Sequence, residues 1–125
     1  MNEQVSIIIL NYNGKQYLKD CLSSVLSQTY ADLEIILFDN GSADGSIEFV
    51  KNEFADGRLK IAASKVNLGF AGGNNEAMKH CANDLIVLLN NDTVTEKDWL
   101  KNLVAAATEK NIVASSFVIT KGIPE

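Results

Sequence analysis

Proline is nearly absent: Pro124 is the only one, and it interrupts no element before it. Cysteine is scarce. Cys21 and Cys81 both fall on apolar faces of predicted helices, so each is expected to be a free, buried thiol, as in a reducing compartment. No apolar run approaches the roughly 18 residues of a membrane span. The first residues, MNEQV, are polar and lead straight into a strand, without the pattern of a signal peptide. Basic clusters are missing as well. The net charge is −5, with 11 Lys and Arg against 16 Asp and Glu. That argues against nucleic acid as a partner, because phosphate backbones recruit grouped cations. It leaves room for a nucleotide whose charge a metal neutralises.

What remains is an ordinary globular composition. The 125 residues are 46% hydrophobic and 22% charged, which suits a single domain spanning 1–125. A chain of this length buries roughly two-thirds of its unfolded surface and needs no covalent staples.

Short β-branched runs alternate with amphipathic stretches along the whole chain. VSIIIL (5–10), LEIILF (33–38), RLKIAAS (58–64), LIVLL (85–89) and NIVASSFVI (111–119) read as five strands. A helix from about Lys15 to Gln28 carries Leu18, Cys21, Leu22, Val25 and Leu26 on one stripe. A second helix carries Ile47, Val50 and Phe54. A third runs through Ala77, Met78, Cys81 and Ala82, after a Gly-rich turn NLGFAGGNN. A fourth, with Trp99, Leu100, Leu103, Val104 and Ala107, is opened by a capping-box pattern from Thr95 to Asp98. Strands apolar on both faces and separated by helices predict an α/β fold: a Rossmann-like, doubly wound, mainly parallel sheet with helices on both faces.

In such sheets ligands bind beyond the carboxyl ends of the strands. The segments there are NYN (Asn11 to Asn13), DNGSADGS (Asp39 to Ser46), NLGFAGGNN (Asn67 to Asn75) and NND (Asn90 to Asp92). They offer carboxylates, amides, an aromatic ring and glycines, with almost no cations, which fits a site whose positive charge is a divalent metal. Each also has a plainer reading. Asp39 with Gly41 and Ser42 suits a helix-capping turn, Tyr12 a packed half-exposed ring, GFAGG an unliganded turn and Asp92 a local cap. A phospho-acceptor receiver domain using Asp39 would want an acidic pair after the first strand, and NYN has none.

In this order, VSIIILNYN, LFDNGSADGS, NLGFAGGNN and LIVLLNND resemble the nucleotide-binding half of a family 2 glycosyltransferase of the GT-A fold, over about 5–120. The resemblance implies that Asn11 and Tyr12 pack near a nucleotide base, with Asn13 matching the family's Asn. It implies that Asp39 hydrogen-bonds a pyrimidine edge, while Asn40 replaces the family's second Asp. Asn67 and Gly69 match the third motif, Gly72 and Gly73 stand for its small pair, and Asn74 takes the place of an Arg near the diphosphate. Asp92 matches the last Asp of Asp-x-Asp, the ligand of Mg²⁺ or Mn²⁺, and Asn90 occupies its first position beside the ribose. The GFAGGNN wording resembles a subgroup that transfers rhamnose or related sugars.

The implied activity is inverting, metal-dependent transfer of a sugar from a UDP- or dTDP-linked nucleotide diphosphate-sugar to a glycan or lipid-linked acceptor, in cell-surface polysaccharide biosynthesis. The family's general base lies in the acceptor half, and no carboxylate here matches it. The expectation is therefore a donor-binding portion, truncated before the acceptor half, inactive alone and able to form a homodimer through the truncated face. The expected location is the cytoplasm, free or peripheral at the inner face of the membrane. The alternative is a non-catalytic nucleotide-binding or assembly module.

Overall fold

The computed structural model describes residues 4–107. Four strands and four helices alternate: β1 (Val5–Asn11), α1 (Lys15–Leu26), β2 (Leu33–Asn40), α2 (Ser46–Glu53), β3 (Leu59–Ser64), α3 (Gly69–Met78), β4 (Leu85–Asn90) and α4 (Trp99–Ala106). The strands form one 4-stranded sheet in the order β3-β2-β1-β4, and every pairing is parallel. The expected α/β, doubly wound architecture is present. The expected fifth strand, 111–119, lies outside the described residues.

Strand alternation divides the core into two layers. Ile7, Ile9, Ile35, Leu37, Val87 and Leu89 face one side and pack with Leu18, Cys21, Leu22 and Val25 of α1, Val50 of α2 and Leu100 of α4. Ile8, Ile36 and Phe38 face the other side and pack with Ala77 of α3. The central strands are almost wholly buried because helices cover both faces, which is why they read as largely apolar runs. Among the described residues only α3 covers the second face, and Leu88, on β4, is 42% exposed there.

Four expectations about the helices change. NLGFAGGNN is not a turn ahead of a helix, because α3 begins inside it at Gly69. Gly69 takes φ +82°, where a side chain is strained, and the Asn67 Oδ1 accepts its N–H at 2.8 Å. Gly73 is needed for packing: a Cβ there would lie 2.7 Å from Leu10 Cδ1 and 2.9 Å from Asn40 Nδ2. At its other end α3 stops at Met78, so Cys81 and Ala82 are not helical. Cys81 is only partly buried, and the Ala82 N–H goes instead to the Glu34 carboxylate at 2.6 Å.

The capping box of α4 does not form either. Asp98 is the residue before the helix and makes no side-chain cap. The Thr95 hydroxyl is engaged with Ser24 and Gln28, and the Leu100 N–H is accepted by the Gln28 side chain at 2.9 Å. Phe54 stands just past α2 in extended backbone and still packs on the core.

Candidate functional site

The strand order reverses at β1. From β1 the chain steps outward to β2 and β3, then crosses back to place β4 on β1's other side. A crevice opens at such a switch point, beyond the carboxyl ends of the strands. Here it is a cleft of about 440 Å³. Leu10 and Tyr12 line it from the end of β1, Asn40 from the end of β2, and Leu88 to Asp92 from β4 and the turn after it. Asn67, Gly69, Phe70 and Asn74 form the opposing wall, at and before the start of α3.

The side of each strand end decides what faces the cleft. Leu10 is in register with Asn90 on one neighbour and Phe38 on the other. Leu10, Asn40 and Asn90 thus share the side that α3 covers. Asn11 pairs with Asp39 in register, and both point to the opposite side. Asp39 is 2% exposed and does not line the cleft. Its oxygens accept Asn11 Nδ2 at 2.9 Å, the Ser42 hydroxyl at 2.7 Å and the Ser42 N–H at 2.8 Å. Asp39 thus closes a local turn with Ser42 and caps no helix, since α2 starts at Ser46 and gives its first N–H to Asp44. The carboxylate reserved for the base edge is behind the cleft wall, and Asn40 is in it.

Asn40 is tied at both ends of its amide. Its Oδ1 accepts the Leu68 N–H at 2.9 Å and its Nδ2 donates to the Gly69 carbonyl at 3.1 Å. One side chain at the end of β2 therefore clamps the entry to α3 and sets the wall formed by Asn67, Gly69 and Phe70. Asn74 donates to the Phe70 carbonyl at 3.0 Å, within the same wall.

A second set of polar contacts runs behind the cleft. Asn13 takes φ 51°, donates its N–H to the Ser42 hydroxyl, and accepts the Ala43 N–H on its side chain. Asp44 accepts the Lys15 N–H at 3.0 Å and the Ser46 N–H at 3.0 Å, so a single carboxylate satisfies the first turns of both α1 and α2. Burial pushes the Asp44 carboxyl up, but the donors from Ser46 and Lys15 outweigh it and hold it below the usual aspartate range.

Of the residues expected at the site, Tyr12, Asn67, Gly69, Asn74, Asn90 and Asp92 line the cleft. Asn11, Asn13 and Asp39 lie behind it; Gly73 packs α3 against Leu10 and Asn40, while Gly72 lies near the Leu68 side chain four residues earlier. Leu10, Asn40, Phe70, Leu88, Leu89 and Asn91 line the cleft without having been among the residues expected there. Alternation along β1 and β2 would have found the first two, had β2 been extended through Asn40. The rings of Tyr12 and Phe70 are 51% and 67% exposed, available as flat surfaces for a base or a sugar.

Asp92 is exposed and, among the described residues, is the one charged residue of the cleft lining. Among the described residues no group of three His, Cys, Asp or Glu side chains converges to hold an ion. That donor set does not suit a metal caged by protein alone. It does suit Mg²⁺ or Mn²⁺, which are held by one or two carboxylates together with substrate phosphates and water.

Comparison with known proteins bears on the family and the fold. The family model described as glycosyl transferase family 2 matches residues 6–124. The UDP-Glc:alpha-D-GlcNAc-diphosphoundecaprenol beta-1,3-glucosyltransferase WfgD of Escherichia coli is 33% identical over 108 residues, which are 86% of this chain and 42% of that protein. The poly-beta-1,6-N-acetyl-D-glucosamine synthase of Staphylococcus epidermidis is 33% identical over 96 residues, 77% of this chain and 23% of that one. The chain thus spans less than half the length of these relatives. Among solved structures, a mannosyltransferase from Pyrobaculum calidifontis in complex with GDP-Man and Mn²⁺ matches with a TM-score of 0.83 and 23% identity, over 90% of this chain and 34% of that one. S. aureus TarS in complex with UDP-GlcNAc matches with a TM-score of 0.78 and 22% identity, over 98% of this chain and 37% of that one. At these identities the two structures speak to the fold alone.

Proposed function

The chain belongs to glycosyl transferase family 2, and on that footing we propose that it forms the donor-binding part of a metal-dependent, inverting glycosyltransferase. The donor is a nucleotide diphosphate-sugar, UDP- or dTDP-linked, and the acceptor a glycan or lipid-linked hydroxyl in cell-surface polysaccharide synthesis at the cytoplasmic side. The observation that carries this reading is the position of Asp92. Among the described residues it is the one charged side chain of a cleft at the sheet's switch point, and as a carboxylate it can hold the cation that a diphosphate needs.

Each wall has a part. Tyr12 and Phe70 offer rings to the base or sugar. Asn90 offers a hydrogen bond to a sugar hydroxyl. Asn40 holds the wall that carries Gly69 and Phe70. Asp92 would hold Mg²⁺ or Mn²⁺, which when bound supplies Lewis-acid stabilisation of the leaving diphosphate. The described residues bind and orient the donor and, with Leu10, Leu88 and Leu89, exclude water from one side of it.

Calorimetric titration with UDP, dTDP and GDP, with and without Mn²⁺, tests this on the wild type and on Asp92→Ala. The expected result is Mn²⁺-enhanced binding of one nucleotide that Asp92→Ala abolishes. Enhancement that survives Asp92→Ala unchanged would remove the metal assignment.

A further inference from the structure

Asp39 and Asn91 do not touch, yet they are connected. Asp39 is a buried carboxylate, so it only accepts hydrogen bonds. Asn11, 0% exposed beside it, must therefore turn its Nδ2 toward Asp39, and does so at 2.9 Å. That leaves Asn11 Oδ1 on the other side, where it can only accept. Asn91 must then turn its own Nδ2 to Asn11, and does so at 2.8 Å. The end of the Asn91 amide left over is its carbonyl oxygen, on a residue that lines the cleft next to Asp92.

Gly14 shows independently how closely this contact is built. A Cβ at Gly14 would collide with Asn91 Nδ2 and stand 2.7 Å from Asn11 Oδ1. No other residue type fits against the amide pair without displacing it.

We propose that Asp39 is a positioning residue, acting through Asn11 to hold the Asn91 amide with its oxygen available beside Asp92. The inference rests on the reading of the cleft as a metal-assisted nucleotide site. An oxygen there adds to the donors a hard cation accepts, whereas an amide NH₂ would repel it. Removing a group that orients a metal's own ligand costs metal affinity roughly 10- to 100-fold, and Asp39 would act in that way, through Asn11, on the Asn91 oxygen.

The test is a double-mutant cycle on the full chain, read as the enhancement of UDP affinity by Mn²⁺. Asp39→Ala removes the acceptor that turns Asn11, whereas an Asn there could still accept Asn11 Nδ2 on its own oxygen. Asn91→Ala removes the end of the relay. Each is expected to reduce the Mn²⁺ enhancement, the ratio of UDP affinities with and without Mn²⁺, about tenfold. Asp39→Ala is expected to add nothing in the Asn91→Ala background. Gly14→Ala, which alters no polar group, is expected to give the same loss by wedging the pair apart. Losses that multiply in the double variant would overturn the relay, as would a Mn²⁺ enhancement that none of the three variants changes. Enhancement that persists in Asp92→Ala would instead reject the underlying metal site, so the two failures are told apart.

Discussion

The side-chain oxygen of Gln28 accepts the backbone N–H of Leu100 at 2.9 Å, across 72 residues of chain. The same amide donates through Nε2 to the Ser24 and Glu96 carbonyls and the Thr95 hydroxyl. Gln28 is 5% exposed, so these groups have little water to fall back on. It closes the first turn of α4, which has no side-chain cap of its own. Gln28→Ala is expected to lower unfolding free energy by about 1–3 kcal/mol, the cost of buried partners left unpaired. Urea unfolding followed by Trp99 fluorescence measures it. A loss within a few tenths of a kcal/mol, as for an ordinary surface change, would count against the cap.

Asn40→Asp moves the sequence toward the family's commoner Asp-Asp, yet it is expected to do harm. The new carboxylate would set an oxygen against the Gly69 carbonyl that Asn40 Nδ2 now reaches at 3.1 Å. Two acceptors would face each other in a place only 2% exposed. The expected cost is about 1–3 kcal/mol of stability, together with weaker nucleotide binding as the wall at Gly69 and Phe70 loosens. Thermal unfolding and the UDP titration give the two readouts.

Glu34 makes stability depend on acid. Burial alone would raise its carboxyl, but the Ala82 N–H, the Lys60 ammonium and the Ser6 hydroxyl outweigh that and hold it below its ordinary value of 4.5. These contacts stand at 2.6, 2.7 and 2.6 Å, with Glu34 side-chain exposure only 7%. A folded value below the unfolded one means that the stabilisation is fully present above about pH 4.5 and disappears as pH falls through the folded value. Asp44 and Asp56 shift in the same direction and add to the trend. Stability measured from pH 7 to pH 3 is expected to fall less steeply below pH 4.5 in Glu34→Gln than in the wild type. The variant is expected to be the less stable of the two at pH 7.

Cys21 is expected to be inert in the native state. Burial, resisted only in part by hydrogen bonding with Thr93, pushes its thiol up to about 11. With 0% exposure it offers neither access nor thiolate at pH 8. Labelling with a thiol-specific disulfide reagent should modify at most Cys81, which is partly buried, until the protein is unfolded in urea. Native labelling of Cys21 at a rate like that of Cys81 would contradict the packing of α1 beneath β4.

Much of this was legible because apolar periodicity is a local property. The runs at Ile7 to Ile9 and Ile35 to Leu37 announced strands covered on both faces, and Leu18, Cys21, Leu22 and Val25 announced a helix over them. The third helix was misread because glycine has two uses. Gly69 supplies a left-handed backbone, as a turn glycine does, whereas Gly73 stands in the helix so that α3 can approach Leu10 and Asn40. Nothing local distinguishes them. The fourth helix was misread because its cap comes from Gln28, too distant in sequence for a capping pattern to register.

By itself the sequence determined the alternating elements, the parallel sheet and the four segments gathered at its carboxyl edge. These follow from which residues must leave water. Tertiary structure alone decided which of those residues face the cleft. Side chains on a strand alternate, so one residue more or less of β2 sends the next polar group to the opposite face. The strand continues past Phe38 through Asp39 and Asn40 because they pair with Ala63 and Ser64 of β3. That pairing turns Asn40 into the cleft and Asp39 away from it, toward Asn11.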